Sequence, residues 1–214
     1  MIDPRISRAP QAAQQDLPAG FMAFYAPLHR TFTPRQQALL AKRREALSAS
    51  LDGRKPGYLP ASDATDGDWR IQVPSWAEDQ RNQMTGPADE AELVVKMLNS
   101  GAPGVMLDLE DSMVNAWGHL TLGVKNILSA LYGELTYFDK KRNQTVGIKP
   151  SKTVIWNRVR GLHLSQAGLF EGDELTSGSL LDLCLIAFQV DASKVKHPLS
   201  FYIPKSESAE EAHW

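Results

Sequence analysis

Cysteine is nearly absent from this chain: Cys184 is the only one in 214 residues. An internal disulfide is therefore excluded, and the usage fits a reducing, cytoplasmic setting. No apolar run approaches the ~20 residues of a membrane-spanning helix. Met1-Ile-Asp-Pro-Arg5 lacks the apolar core of a secretion signal. A membrane is thus not an expected partner. Neither charge sign dominates: 23 basic residues stand against 25 acidic ones, a net charge of −2. Without a basic excess, nucleic acid is not an expected partner either. There is no Gly-x-x-x-x-Gly-Lys phosphate loop, no Gly-x-Gly-x-x-Gly, no metal-binding cysteine cluster and no His-Glu-x-x-His. No internal repeat or low-complexity segment appears. Cys184 lies within the apolar run Leu180 to Phe188 and reads as a buried core thiol, not a nucleophile.

What is present is an alternation. Residues 1 to about 19 are polar, with three prolines, and are expected to be loosely ordered. Phe21 to Phe32 reads as helix. Thr33-Pro34 then supplies an N-cap and a first-turn proline for a second helix to about Leu51, with Leu40, Leu47 and Leu51 on one face. Residues 53 to 83 are rich in Gly, Pro and Asp, with Trp69 and Trp76 as expected anchors. Thr85-Gly86-Pro87 opens a further helix that Gly101 caps. A buried strand at 104–109 follows, then a helix with the stripe Leu120, Val124, Ile127, Leu128 and Leu131. A β-hairpin near 134–148 has the charged tip Asp139 to Gln144. Strand 153–158, an apolar helix from Ser177, strand 200–205 and a final helix complete the order. Such alternation indicates an α/β fold with a parallel sheet. Only three core strands are clear, whereas a closed barrel needs eight and ~250 residues. The expected architecture is a helical and irregular N-terminal domain, 1–102, followed by the first part of a TIM (β/α)8-type barrel, 103–214, incomplete in this chain.

Two strand ends carry the candidate chemistry. Gly104-Val-Met-Leu-Asp-Leu-Glu-Asp-Ser112 ends in Asp108, Glu110 and Asp111. Residues 108 and 110 share one side of a strand, and three acids this close need a cation or a basic group. They suit a site for a hard cation such as Mg2+, or equally a helix cap or pairing with Arg and Lys. Thr153-Val-Ile-Trp156 runs into Asn157-Arg-Val-Arg-Gly-Leu-His-Leu164. Arg158 and Arg160 share a side, and Gly161 permits close approach. One arginine is expected to bridge to the acids. Arg158 is the one assigned to chemistry, as fixed donors for an oxyanion, and Arg160 is supporting. His163 reads as a hydrogen-bonded structural group. Lys205 either faces the site or covers an edge, and the residues alone leave both open.

Eight segments, in order, make the chain resemble malate synthase in its shorter A form. They are Phe32-Thr-Pro-Arg35, Asp68-Trp-Arg70, Thr85-Gly-Pro87, Leu98-Asn-Ser-Gly101, Met106-Leu-Asp-Leu-Glu-Asp-Ser112, Arg158-Val-Arg-Gly-Leu-His-Leu164, Ser177-Gly-Ser-Leu-Leu-Asp182 and Phe201-Tyr-Ile-Pro-Lys205. The resemblance covers about residue 21 to the end. Arg81-Asn-Gln-Met-Thr-Gly86, and the helix after Ser179 with fewer aromatics, depart from the family pattern. The resemblance implies a glyoxylate-cycle acyltransferase that condenses acetyl-CoA with glyoxylate and hydrolyses the product to malate and CoA. It implies Arg158 on the developing oxyanion, and Asp108, Glu110 and Asp111 around the waters of Mg2+. The family's direct metal ligands and catalytic base belong to segments beyond Trp214, so the chain is expected to be a fragment, inactive alone. A citrate-lyase-β or malyl-CoA-lyase type of carbon–carbon lyase, and an inactive truncated homologue, are the alternatives. Oligomeric state is not legible.

Overall fold

The computed structural model describes residues 13–55, 57–171 and 173–214. A 3-10 turn at Ala13–Asp16 leads into α1, Phe21–Leu51. Residues 13 to 19 are docked, contrary to the expectation of loose order. Ala13 and Leu17 are buried, and Trp117 Nε1 donates to Asp16 Oδ2 at 2.7 Å. Residues 1–12 lie outside the described residues.

The two helices expected on either side of Thr33-Pro34 are one. Pro27 and Pro34 both lie inside α1, each removing one backbone donor. The helix continues because one buried face, Phe21, Tyr25, His29, Thr33, Gln36 and Leu39, runs across both prolines. Thr33 is therefore not a cap; its hydroxyl meets His29 Nδ1 at 2.9 Å. The face expected from Leu40, Leu47 and Leu51 is not the buried one: Leu47 and Leu51 are exposed. Of the two expected anchors, Trp76 packs, stacking on His197 at 5.2 Å between ring centroids and lying 6.1 Å from Trp156. Trp69 is exposed beside the single-turn α2, Asp63–Asp66.

Thr85-Gly86-Pro87 does not open a helix. It ends strand β1, Gln83–Pro87, and α3, Ala91–Leu98, follows. A Cβ at Gly86 would lie 2.8 Å from Met97 Cε, so the glycine lets α3 close on the strand. The remaining elements are β2 (Gly104–Asp108), α4 (Trp117–Leu131), the hairpin β3 (Thr136–Asp139) and β4 (Gln144–Gly147), and β5 (Val154–Arg158). Then come β6 (Ser165–Glu171), β7 (Glu174–Ser177), α5 (Gly178–Gln189), β8 (Phe201–Tyr202) and α6 (Ala209–His213).

Strands β1-β2-β5-β8 form one sheet, parallel at every pairing and in chain order. The architecture is thus mixed α/β, a helical N-terminal region with a parallel sheet. Its first strand reaches back into the segment read as the N-terminal domain, because β1 pairs with β2 across 102/103. Strand β2 is buried throughout. Its Val105 and Leu107 share the core with Val94 and Leu98 of α3, Leu120, Val124 and Ile127 of α4, and Leu181 and Leu185 of α5. The hairpin β3–β4 is where expected and is tied down by Asn99, whose side chain donates to Gly147 O and accepts from Lys149 N. The antiparallel pair β6–β7 was not foreseen. Among the described residues no helix is long and apolar enough to cross a membrane.

Candidate active site

The four parallel strands end at Pro87, Asp108, Arg158 and Tyr202, and the segments just past those ends converge. Asp108 is fully buried. Its Oδ1 accepts from Glu110 N at 2.8 Å, and its Oδ2 accepts from Ser112 N at 2.9 Å and from the Ser112 hydroxyl at 2.6 Å. These bonds wrap the chain around the carboxylate and throw Glu110 and Asp111 toward β5. Arg158 Nε donates to Asp108 Oδ1 at 2.9 Å. Its Nη2 lies 2.7 Å from Asp111 Oδ2 and 3.4 Å from Glu110 Oε2. Those two are ion contacts without hydrogen-bond direction: Arg158 Nη2 and Glu110 Oε2 are both buried and lack a hydrogen-bond partner.

Lys205 faces the site. Its Nζ lies 2.8 Å from Asp111 Oδ1 and 3.0 Å from Glu110 Oε1. Glu110 Oε1 also accepts from Gly161 N at 3.2 Å, and a Cβ at Gly161 would press within 3.0 Å of that oxygen. The expected need for a small residue at 161 is thus met by an acid's approach. The exposed His163 ring folds over the same glycine, where a Cβ would lie 2.7 Å from it.

Charge is balanced locally. The Lys205 hydrogen bond, helped by Arg158, holds the Asp111 carboxyl below the usual carboxylate range. The bonds to Asp111 and then Glu110 raise the Lys205 ammonium. Burial works against the Arg158 cation, but the charge and hydrogen bond of Asp108 outweigh it, and its pKa is raised.

Arg160 does not join this group. Of the two arginines it is Arg158 that bridges to the acids. Arg160, also buried, pairs with Asp182 of α5, Nη2 to Oδ1 at 2.7 Å and Nε to Oδ2 at 2.9 Å, while its backbone N–H donates to Asp182 Oδ2. Its Nη1 donates to Gln166 Oε1 at 2.8 Å. The local reason is Gly178: a Cβ there would sit 3.2 Å from Arg160 Cζ, so the start of α5 is open for the guanidinium. Ser177 caps that helix, its hydroxyl accepting from Leu180 N at 3.3 Å. Sequence reasoning missed Lys205 as a certain member and missed Asp182 altogether. The Ser177–Asp182 segment was visible, but nothing in it pointed to Arg160.

The donor set does not fit direct metal coordination. No group of three His, Cys, Asp or Glu side chains among the described residues is arranged to hold a metal ion. Each acid here already faces Arg158 or Lys205. What the cluster presents is a guanidinium and an ammonium at one mouth, set among carboxylates of which Asp111 is the most exposed.

Comparisons with known proteins agree with the motifs. Residues 6–63 match the family described as malate synthase, N-terminal domain. The chain is 33% identical to malate synthase A of Escherichia coli (strain K12) over 206 residues, 94% of this chain and 38% of that protein. It is 33% identical to malate synthase of Arabidopsis thaliana over 198 residues, 89% of this chain and 35% of that protein. A glyoxysomal malate synthase of Cucurbita maxima is 32% identical over 199 residues, again 89% and 35%. The chain therefore spans little more than a third of the length of the curated relatives it matches.

Proposed function

We propose that this chain, related in sequence to the malate synthases over most of its length, forms the oxyanion-holding part of an enzyme that condenses acetyl-CoA with glyoxylate and hydrolyses the product to malate and CoA. The carrying observation is the Arg158 guanidinium: held through Nε by buried Asp108, with Nη2 turned to the exposed Asp111 carboxylate at 2.7 Å. Glyoxylate is a small anion with a second oxygen on which charge develops as the new carbon–carbon bond forms. A preorganised guanidinium beside that oxygen favours the charged transition state over the ground state. Asp111 is more than half exposed and can swing away from Nη2 to admit the anion. Asp108 fixes the guanidinium plane through Nε, and Lys205 shares the Glu110 and Asp111 carboxylates with Arg158.

In this reading Mg2+ is held by ligands outside these 214 residues. Glu110, whose Oε2 lies 3.4 Å from Arg158 Nη2, would accept from the ion's waters and would not be its ligand. The base that deprotonates acetyl-CoA is likewise supplied elsewhere, so the chain alone binds glyoxylate without forming malate. The sheet β1-β2-β5-β8, parallel and in chain order, is what the opening strands of a (β/α)8 barrel would give. The domain match at 6–63 precedes that sheet, which supports a malate synthase over a carbon–carbon lyase of related type. The single buried thiol, Cys184, suits a cytoplasmic setting.

Calorimetric titration of the chain with glyoxylate tests the reading. Binding that is lost in Arg158→Lys is expected. Undiminished binding in that variant, or malate formed from both substrates by the chain alone, would overturn the assignment.

A further inference from the structure

Lys205 has a backbone φ of 53°, the left-handed region. Asn143, at the hairpin tip, is the other non-glycine residue there among the described residues. Asparagine tolerates that region through local hydrogen bonding, but lysine has no such help and needs its surroundings to enforce it. The enforcing contact comes from α1. Arg43 Nη2 donates to Lys205 O at 2.7 Å. Arg43 is itself fixed: Nε and Nη2 each meet a carboxylate oxygen of Glu211 at 2.6 Å, and Nη1 lies 3.3 Å from Glu207 Oε1. Glu211 is buried and also accepts from Glu207 N. One planar guanidinium thus clamps the turn at residues 205, 207 and 211, which flexible single-point donors would not do.

We propose that Arg43 is a positioning residue for the site: by holding the Lys205 backbone in its left-handed turn, it aims the Lys205 ammonium at Glu110 and Asp111. The consequence for binding rests on the glyoxylate reading above. Lys205 takes Asp111 Oδ1 while Arg158 takes Oδ2. With Lys205 turned away, Asp111 keeps Arg158 as its one cationic partner of the two and is harder for an incoming anion to displace from Nη2.

The test combines the NMR Cα and Cβ shifts of Lys205 with glyoxylate titration of the 214-residue chain. Arg43→Met is expected to abolish the left-handed shift signature at 205 and to weaken glyoxylate binding on the order of tenfold, the loss of one charge-assisted contact. Arg43→Lys, which keeps charge but not the fork, should act in the same direction and carries the comparison if Arg43→Met fails to fold. Lys205→Met should weaken binding equally while keeping the left-handed backbone. The Arg43→Met/Lys205→Met double variant should be no worse than either single one. Lys42→Met, which removes the neighbouring tie to Glu210 on α6, should change neither readout. A wild-type shift at 205 and wild-type affinity in Arg43→Met, even with a lowered Tm, would reduce Arg43 to a tie between α1 and α6. If the unaltered chain binds no glyoxylate, the functional reading fails, and the shift at 205 still decides the role of Arg43.

Discussion

Asp108 and Arg158 are register partners on the adjacent parallel strands β2 and β5, and Arg158 Nε donates to Asp108 Oδ1 at 2.9 Å. Sheet pairing alone thus brings together a carboxylate and a guanidinium fifty residues apart in sequence. The pair is rigid because both backbones are in the ladder. That rigidity is what an oxyanion donor requires, since donors that must reorganise lose much of their advantage.

Arg158→Lys is expected to act on turnover and stability together. In an active enzyme carrying this segment, kcat should fall on the order of a hundredfold, as when one oxyanion donor is removed. Lysine cannot reproduce both the Nε bond to Asp108 and the Nη2 contacts, so the Tm should fall as well. Steady-state kinetics beside a melt measure the two effects. Unchanged kcat with a lowered Tm would make Arg158 purely structural.

Arg160→Met should be the more destabilising change. It leaves Asp182 buried and uncompensated, for which about 3–5 kcal/mol is the usual loss. Arg160→Met/Asp182→Leu should recover most of it, because the unpaired charge is then gone. Urea unfolding of the wild type, Arg160→Met, Asp182→Leu and the double variant gives the comparison; additive losses in the double variant would contradict the pairing.

Acid should unfold the protein partly through two carboxylates. The Arg43 hydrogen bond lowers the Glu211 pKa from its ordinary 4.5, and the Lys205 bond lowers that of Asp111 from 3.8. Folded values below unfolded ones mean stability that is present above 4.5 and 3.8 and is lost as pH falls through the folded values. Glu211→Gln should flatten the acid limb of the stability–pH curve more than Asp111→Asn, because Glu211 is buried and Asp111 is screened by solvent. Equal slopes in all three proteins would contradict this.

Cys184 should be inert in the native protein. Burial pushes its thiol up to about 12, so almost no thiolate exists near neutral pH. A thiol reagent at pH 8 should label it only on unfolding. Rapid native labelling would show that α5 opens locally.

His197 should matter through one acceptor. Its Nε2 accepts from Ile155 N at 3.0 Å, serving the β5 backbone at a place where β8 does not reach. His197→Phe keeps a ring against Trp76 but leaves that donor unpaired, a loss of about 1–3 kcal/mol. His197→Gln, which retains an acceptor, should cost less. Amide exchange at Ile155 reads the bond directly.

The sequence by itself determined the kind of fold and most of the site's membership. A short continuous apolar run marked β2, a 3.6-period stripe marked α4, and two short segments flanking a charged tip marked the β3–β4 hairpin. The two-residue spacings placed Asp108 with Glu110 at one mouth, because strand geometry alternates sides. It misjudged Thr33-Pro34 and Thr85-Gly86-Pro87, where local capping signals were overruled by burial along α1 and by pairing of β1 with β2. Which arginine meets which acid was decided only by tertiary structure. The choice depends on sheet register for Arg158 and on the gap at Gly178 for Arg160. Lys205 belongs to the site for the same reason: a turn held from α1 by Arg43 sets its direction, and no local pattern encodes a contact that the chain makes across most of its length.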